Sequence, residues 1–343
     1  MLDAAEIREQ RAQKPGRARD IAQALGIAEA ELVAAEVGRS ATVLKSHPND
    51  LIPALEPVGS MMALTRNDAC VIEKDGIYSD YHGGEHATMT LNKDIELRMF
   101  PRQWRHAFAV SEEVKSGLRH SVQVFDAAGD AVHKAYLLAD ANMDAWSALK
   151  SNLMLPNQSD TLSLAERAPP EGAKIVMEKR EILLKEWRRL TDTHQFLRLC
   201  AKLKMNRLGA YRIAGAPFVR PLAPDAVDKM LRGIQAGGFD FMLFVGNRGC
   251  IEIHTGPIGR LEPMGPWQNV LDPDFNLHLR LDKVAEVWEV EKPTQRGPAL
   301  SVEAFDAEGS LILQAFGVPK EDNDTRADFA EVVATLPDKE STV

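Results

Sequence analysis

Three observations predict an α+β protein made by internal duplication, with two similar halves each built on a mainly antiparallel sheet flanked by helices. First, SVQVFDAAGD at residues 121–130 returns as SVEAFDAEGS at residues 301–310, an offset of 180. Second, both copies are dominated by short runs in which apolar and polar residues alternate, the period of half-buried strands. Third, stretches of helical period flank these runs.

The elements follow in chain order. Residues 3–36 carry helical periodicity interrupted at Pro15-Gly16. IELRMF and WRHAFAV read as strands, and SVQVF with AVHKAYL as a hairpin around DAAGD, whose glycine supplies the positive φ of a bulged turn. A helix over 138–152 closes the first copy. LPNQSDTLSLAERAPPEGAK, with Pro156, Pro169 and Pro170, is the linker. One helix is expected over 181–204 and another over 224–236. NLHLRL, VAEVWEV, SVEAF and LILQAF then repeat the earlier strands, and the last thirty residues hold one short helix and a charged tail.

At the same offset Asn67 meets Asn247, Cys70 meets Cys250, Gly76 meets Gly256, Leu97 meets Leu277, Val110 meets Val290 and Gly117 meets Gly297. A solenoid unit is far shorter than this period. The expected organisation is therefore an N-terminal repeat over 1–155, a linker over 156–171 and a C-terminal repeat over 172–343.

Composition excludes several functions. The 343 residues are 45% hydrophobic and 27% charged, with a net charge of −9, and no basic run offers a phosphate backbone a surface. Aromatic residues are too sparse for a base-stacking groove. No stretch of 18 apolar residues is present, so no membrane insertion is expected. A charged N-terminus and three scattered cysteines, with no C-x-x-C, lead to an expected cytoplasmic location. Walker A, G-x-G-x-x-G and G-x-S-x-G motifs are all missing.

Within the 181–204 helix, Leu183, Trp187, Leu190, Leu197 and Ala201 form an apolar stripe, and His194 falls inside it. An imidazole there is either a packed histidine bonded to a carbonyl or a group facing something other than core. His82 and His86 stand four apart in YHGGEHATM, but Gly83-Gly84 disfavours the regular helix that a shared zinc would need.

EWRRLTDTHQFLRL, IELRMFPRQW, FVGNRGCIEIHTG, PWQNVLDPDFNLHL and VWEVEKPT together resemble the bacterial HemS/HmuS/ChuS family of cytoplasmic haem-handling proteins, over nearly the whole chain. The resemblance implies non-covalently bound haem b, with His194 as axial ligand of the iron and Arg98 approaching the opposite face. On that reading Arg98 holds a distal water, polarises an iron-bound oxygen or peroxide, or pairs with a propionate. Phe100, two residues on and of the same strand parity, would pack against the porphyrin. Phe241 or Phe244 would supply an apolar wall, and Lys292 would contact a propionate. Phe316 stands where relatives commonly carry a tyrosine, keeping the ring without the hydroxyl.

The family also implies a role in bacterial haem uptake and iron acquisition, as carrier or as haem-degrading enzyme. Its partners would be an inner-membrane haem transporter or a downstream haem oxygenase. A secondary haem site near His82 and His86 is a further implication. The alternative is a duplicated, non-enzymatic binding module for another flat or anionic ligand.

Overall fold

The computed structural model describes residues 2–14, 16–115 and 117–340. They fall into two compact units. The first takes in the chain up to Arg66, Ile72–Ala168 and Gly246–Ile253; the second takes in Asn67–Val71, Pro169–Val245 and the chain from His254 onward. The main division, at Ala168/Pro169, lies inside the proline-bearing stretch read as a linker, and residues 155–176 contain no helix or strand.

The first half runs α1 (Ala4–Gln13), α2 (Ala18–Leu25), α3 (Glu29–Ala34), β1 (Ala41–Leu44), α4 (Pro48–Leu55), β2 (Met61–Arg66), β3 (Cys70–Gly76), β4 (Tyr81–His82), β5 (Thr88–Thr90), β6 (Glu96–Met99), β7 (His106–Val114), β8 (Gly117–Phe125), β9 (Ala131–Leu137) and α5 (Met143–Leu153). Asp3 starts α1 through a reciprocal capping box with Glu6, each side chain taking the other's main-chain N–H. The N-terminal helical stretch is broken between α1 and α2, as expected, and again before α3; Pro15 itself lies outside the described residues.

In the first unit β1, β7, β8, β9 and β2 pair antiparallel in that order. A second patch joins β4, β5 and β6 to Cys250–Ile253. The doubled text forms the β8–β9 hairpin, where Asp126 Oδ1 accepts the N–H groups of Ala128 and Asp130 and Gly129 takes φ 81°. Tyr78, Leu97, Met99, Trp104 and Trp146 centre the core.

The second half continues α6 (Arg180–Trp187), α7 (Gln195–Lys202), α8 (Arg207–Ala214), β10 (Val219–Leu222), α9 (Ala226–Gly237), β11 (Phe241–Gly246), β12 (Cys250–Gly256), β13 (Leu261–Met264), β14 (Trp267–Leu271), β15 (Phe275–Arg280), β16 (Glu286–Lys292), β17 (Ala299–Phe305), β18 (Leu311–Gly317) and α10 (Arg326–Ala334). In the second unit β10, β16, β17, β18 and β11 repeat the first sheet's order, and β13, β14 and β15 its smaller patch. Even the irregularity is duplicated: register shifts between Val124 and Phe125, and between Ala304 and Phe305.

One expectation is corrected. The helix read over 181–204 is two helices, α6 and α7, separated by a turn through residues 188–194. Leu183, Trp187 and Leu190 are buried as the stripe requires, but Leu197 is 51% exposed and Ala201 is also exposed. Phe196, Leu199 and Cys200 fill the core from α7 instead, with Leu203 just beyond its end. The turn rotates the second helix, so a single 3.6-residue register cannot describe both.

Candidate functional site

His194 is the last residue before α7, and its side chain is 89% exposed. It is not part of the buried stripe: the turn that splits the helix carries it outward. Asp192 Oδ1 lies 2.7 Å from the His194 main-chain nitrogen and 2.7 Å from its Nδ1. Those two contacts, main chain first, hold the Asp192 carboxyl below its ordinary pKa. Gln195 fastens the turn from the other side: its Oε1 accepts from Thr191 N at 3.0 Å and its Nε2 donates to Thr191 Oγ1 at 2.9 Å. With Nδ1 carrying the proton toward Asp192, the Nε2 lone pair points away from the anchoring contact.

Phe244 and Phe316 come together. They project from β11 and β18 on one half-buried sheet face, ring centroids 5.3 Å apart at 70°. Alternation decides between the two phenylalanines of FDFMLF. Phe241 is fully buried, edge-on to His254, which itself stacks on Phe275 at 3.6 Å. Phe244 is the one left for a surface role.

Arg98 and Phe100 belong to the first unit. Leu97 and Met99 are buried while Glu96, Arg98 and Phe100 are half-buried, so the expected parity holds through the end of β6. The Arg98 guanidinium donates to Glu96 Oε1 at 2.7 Å and to the Leu97 carbonyl at 3.0 Å.

Lys292, expected to meet a propionate, is engaged inside the second unit. Its side chain is only 5% exposed, and its ammonium donates to Glu303 Oε1 at 2.8 Å. It lies over the rings of Phe196 and Tyr211, at 5.2 and 5.4 Å. Glu303 also receives Ser301, Arg207 and Tyr211. Burial alone would raise the Glu303 pKa, but Lys292 and Arg207 outweigh it and bring it to about 2. Parity explains this placement: Lys292 ends β16 pointing into the core, where a lone ammonium survives only beside a carboxylate.

Reading the sequence one position at a time missed a second buried polar group, in the first unit. His133 Nε2 lies 2.7 Å from the Tyr78 hydroxyl, and its Nδ1 lies 2.9 Å from Thr65 Oγ1. Thr65 donates onward to Cys250 Sγ at 3.7 Å, and Trp104 stacks on the imidazole with centroids 6.2 Å apart. Burial lowers the His133 pKa to about 3. Glu252, on the same strand face as Cys250, is fully buried with neither carboxylate oxygen hydrogen-bonded, and burial raises its pKa to about 8. The signal was present in the duplication. At the repeat-related positions stand Val245 for Thr65, Ile258 for Tyr78, Leu313 for His133 and Ile72 for Glu252.

His82 Nε2 contacts Asp80 at 2.9 Å, and among the described residues no group of three or more His, Cys, Asp or Glu side chains is placed to hold a metal ion. No helix of the described residues is long and apolar enough to cross a membrane.

A duplicated α+β chain with an exposed, carboxylate-anchored histidine and an aromatic pair defines a class, and comparison with known proteins identifies it. The chain belongs to the family of the haemin-degrading HemS.ChuX domain, whose model matches residues 26–153 and again 204–336. His194 lies between the two matched copies. The chain is 37% identical to the hemin transport protein HmuS of Yersinia pestis over 332 residues, 96% of each. It resembles holo-PhuS, a heme-binding protein from Pseudomonas aeruginosa, at 37% identity and TM-score 0.93, covering 98% of this chain and 100% of the other. ChuS, an E. coli heme oxygenase, matches at 32% identity and TM-score 0.86, covering 96% and 98%.

Proposed function

We propose that the protein binds haem b non-covalently in bacterial haem uptake and iron acquisition, with His194 as the axial ligand. The observation that carries this reading is the geometry at His194: an exposed ring, its Nδ1 held by Asp192 and its Nε2 directed away from that anchor. The names of full-length relatives, a hemin transport protein and a heme-binding protein among them, support the choice of ligand. The residues present suit the group. A neutral imidazole is an appropriate donor to haem iron, and the Phe244–Phe316 pair offers an apolar ring surface.

In this reading His194 fixes the iron and Phe244 and Phe316 pack against the macrocycle, all three within the second unit; the roles of Arg98, a permanent positive charge, and of Phe100 rest on the family resemblance. Glu96 is the resting partner of Arg98. Bound haem would supply the redox chemistry, and one relative is described as a heme oxygenase. Three unpaired, buried cysteines suit a reducing cytoplasm, where the protein would receive haem from an inner-membrane transporter and pass it to an oxygenase or degrade it.

The test is haem titration of the full chain followed by the Soret band. His194→Ala is expected to weaken binding and move the band; an unchanged spectrum overturns the ligand assignment. Adding a reductant with catalase present then separates the two activities. A defined open-chain tetrapyrrole with released iron identifies an enzyme, and a stable Soret band a carrier.

A further inference from the structure

We propose that Asp192 is a positioning residue that fixes the tautomer of His194 and raises the donor strength of its Nε2 toward a bound metal. The proposal rests on His194 being the haem ligand and adds what sets the character of that ligand.

The geometry is local and built before any ligand arrives. One oxygen, Asp192 Oδ1, receives both the main-chain N–H and the ring Nδ1 of His194, each at 2.7 Å. Two attachments to one atom leave the ring little freedom to turn over and present Nδ1 outward. The turn is secured beneath it. Thr191 and Gln195 bond to each other twice, and the Gln295 main chain donates to the Thr191 carbonyl at 3.0 Å. The main chain leading into Asp192 is thus fixed, and its carboxylate is held by the two contacts to His194 themselves.

The chemical consequence follows from charge. An imidazole whose Nδ1–H donates to a carboxylate carries more electron density on Nε2 than one donating to a neutral carbonyl. A more basic axial nitrogen favours ferric over ferrous iron. Asp192 is 56% exposed, so its pairing with His194 contributes little to folding. Its effect belongs in the properties of a bound metal, where a purely structural role would leave no trace.

Full-length protein is loaded with haem as wild type, Asp192→Asn, Asp192→Ala and His194→Ala, with circular dichroism confirming the fold of each. Asp192→Asn keeps an acceptor for the main-chain N–H and removes only the charge. The readouts are the iron–histidine stretching band of the ferrous form by resonance Raman and the ferric/ferrous midpoint potential. Both aspartate variants are expected to keep haem, shift the band to lower frequency and raise the potential, Asp192→Ala at least as far as Asp192→Asn. A band and potential identical to wild type in Asp192→Asn, while His194→Ala changes both, overturns the role of Asp192 alone. If His194→Ala also leaves them unchanged, the ligand assignment fails and the proposal with it.

Discussion

Glu252 occupies the place that Ile72 holds 180 positions earlier, and both are fully buried. One repeat thus carries a carboxylic acid where its sister carries a hydrocarbon. Burial away from water makes the folded chain favour the protonated form of Glu252 and, against the opposing pull of Thr65 and Lys74, moves its pKa from 4.5 to about 8. Between those values the folded state keeps a proton that the unfolded chain has lost, so stability falls as pH rises. His133 acts oppositely: its folded pKa of about 3 lies below the ordinary 6.5, and over that window rising pH stabilises. The two oppose each other from pH 4.5 to 6.5 and leave Glu252 alone from 6.5 to 8. Denaturant unfolding should lose stability there, with a limiting slope of ~1.4 kcal/mol per pH unit. Glu252→Ile should flatten this slope and raise stability at pH 8. A slope that survives the substitution would show that another group titrates in the window.

Lys292 and Glu303 form a pair that should matter for folding first. Removing one partner of a buried ion pair leaves a charge without compensation and costs about 3–5 kcal/mol. Lys292→Ala leaves Glu303 with Arg207 as a remaining cation beside Tyr211 and Ser301, which sets the cost at the lower end of that range. The expected result is a large drop in the denaturant midpoint with little change in the Soret position of the haem-loaded, still-folded fraction. If stability is kept and haem affinity falls instead, Lys292 leaves its pocket to meet a propionate, as the family resemblance implies.

These two residues also show what could be read from the chain. The duplication, the hairpins around Gly129 and Gly309 and the α+β class were legible because strand alternation and turn chemistry are local properties. His194 stood out because a histidine among leucines is conspicuous, yet the stripe that drew attention to it does not contain it. The turn at 188–194 has no proline or glycine to announce it; its stop signal is the Thr191–Gln195 clasp, which only three dimensions reveal. Lys292 was given to a propionate by the family resemblance at KPT, and nothing local announces its buried carboxylate partner, which lies eleven positions away on the neighbouring strand. Asp192 was passed over although it stands two residues before His194, because neither spacing nor composition marks a contact made through a turn.

Each unit holds a short segment from the other half of the sequence, and this exchange carries a prediction. In the first unit the Asn247 side chain donates to the carbonyls of Arg66 and Val132, and Gly249 O accepts the Trp104 indole and the Phe100 main chain. Cys250–Ile253 then pairs with β6 and places Cys250 in the core. In the second unit Asn67 donates to Ile312 O, the repeat mate of Val132, and Ala69 O accepts Arg280 N, the repeat mate of Phe100. A fragment comprising residues 1–168 therefore leaves the Trp104 indole N–H and two strand-end carbonyls without their partners and exposes one edge of β6. Buried groups left unsatisfied cost about 1–3 kcal/mol each, enough together to consume the stability of a domain of this size. The fragments 1–168 and 169–343 should each show weak near-ultraviolet circular dichroism and broad unfolding when made singly. Co-expression should recover a cooperative transition. Cooperative unfolding of 1–168 by itself, with strong near-ultraviolet circular dichroism, would mean that the first half closes its core without Gly246–Ile253.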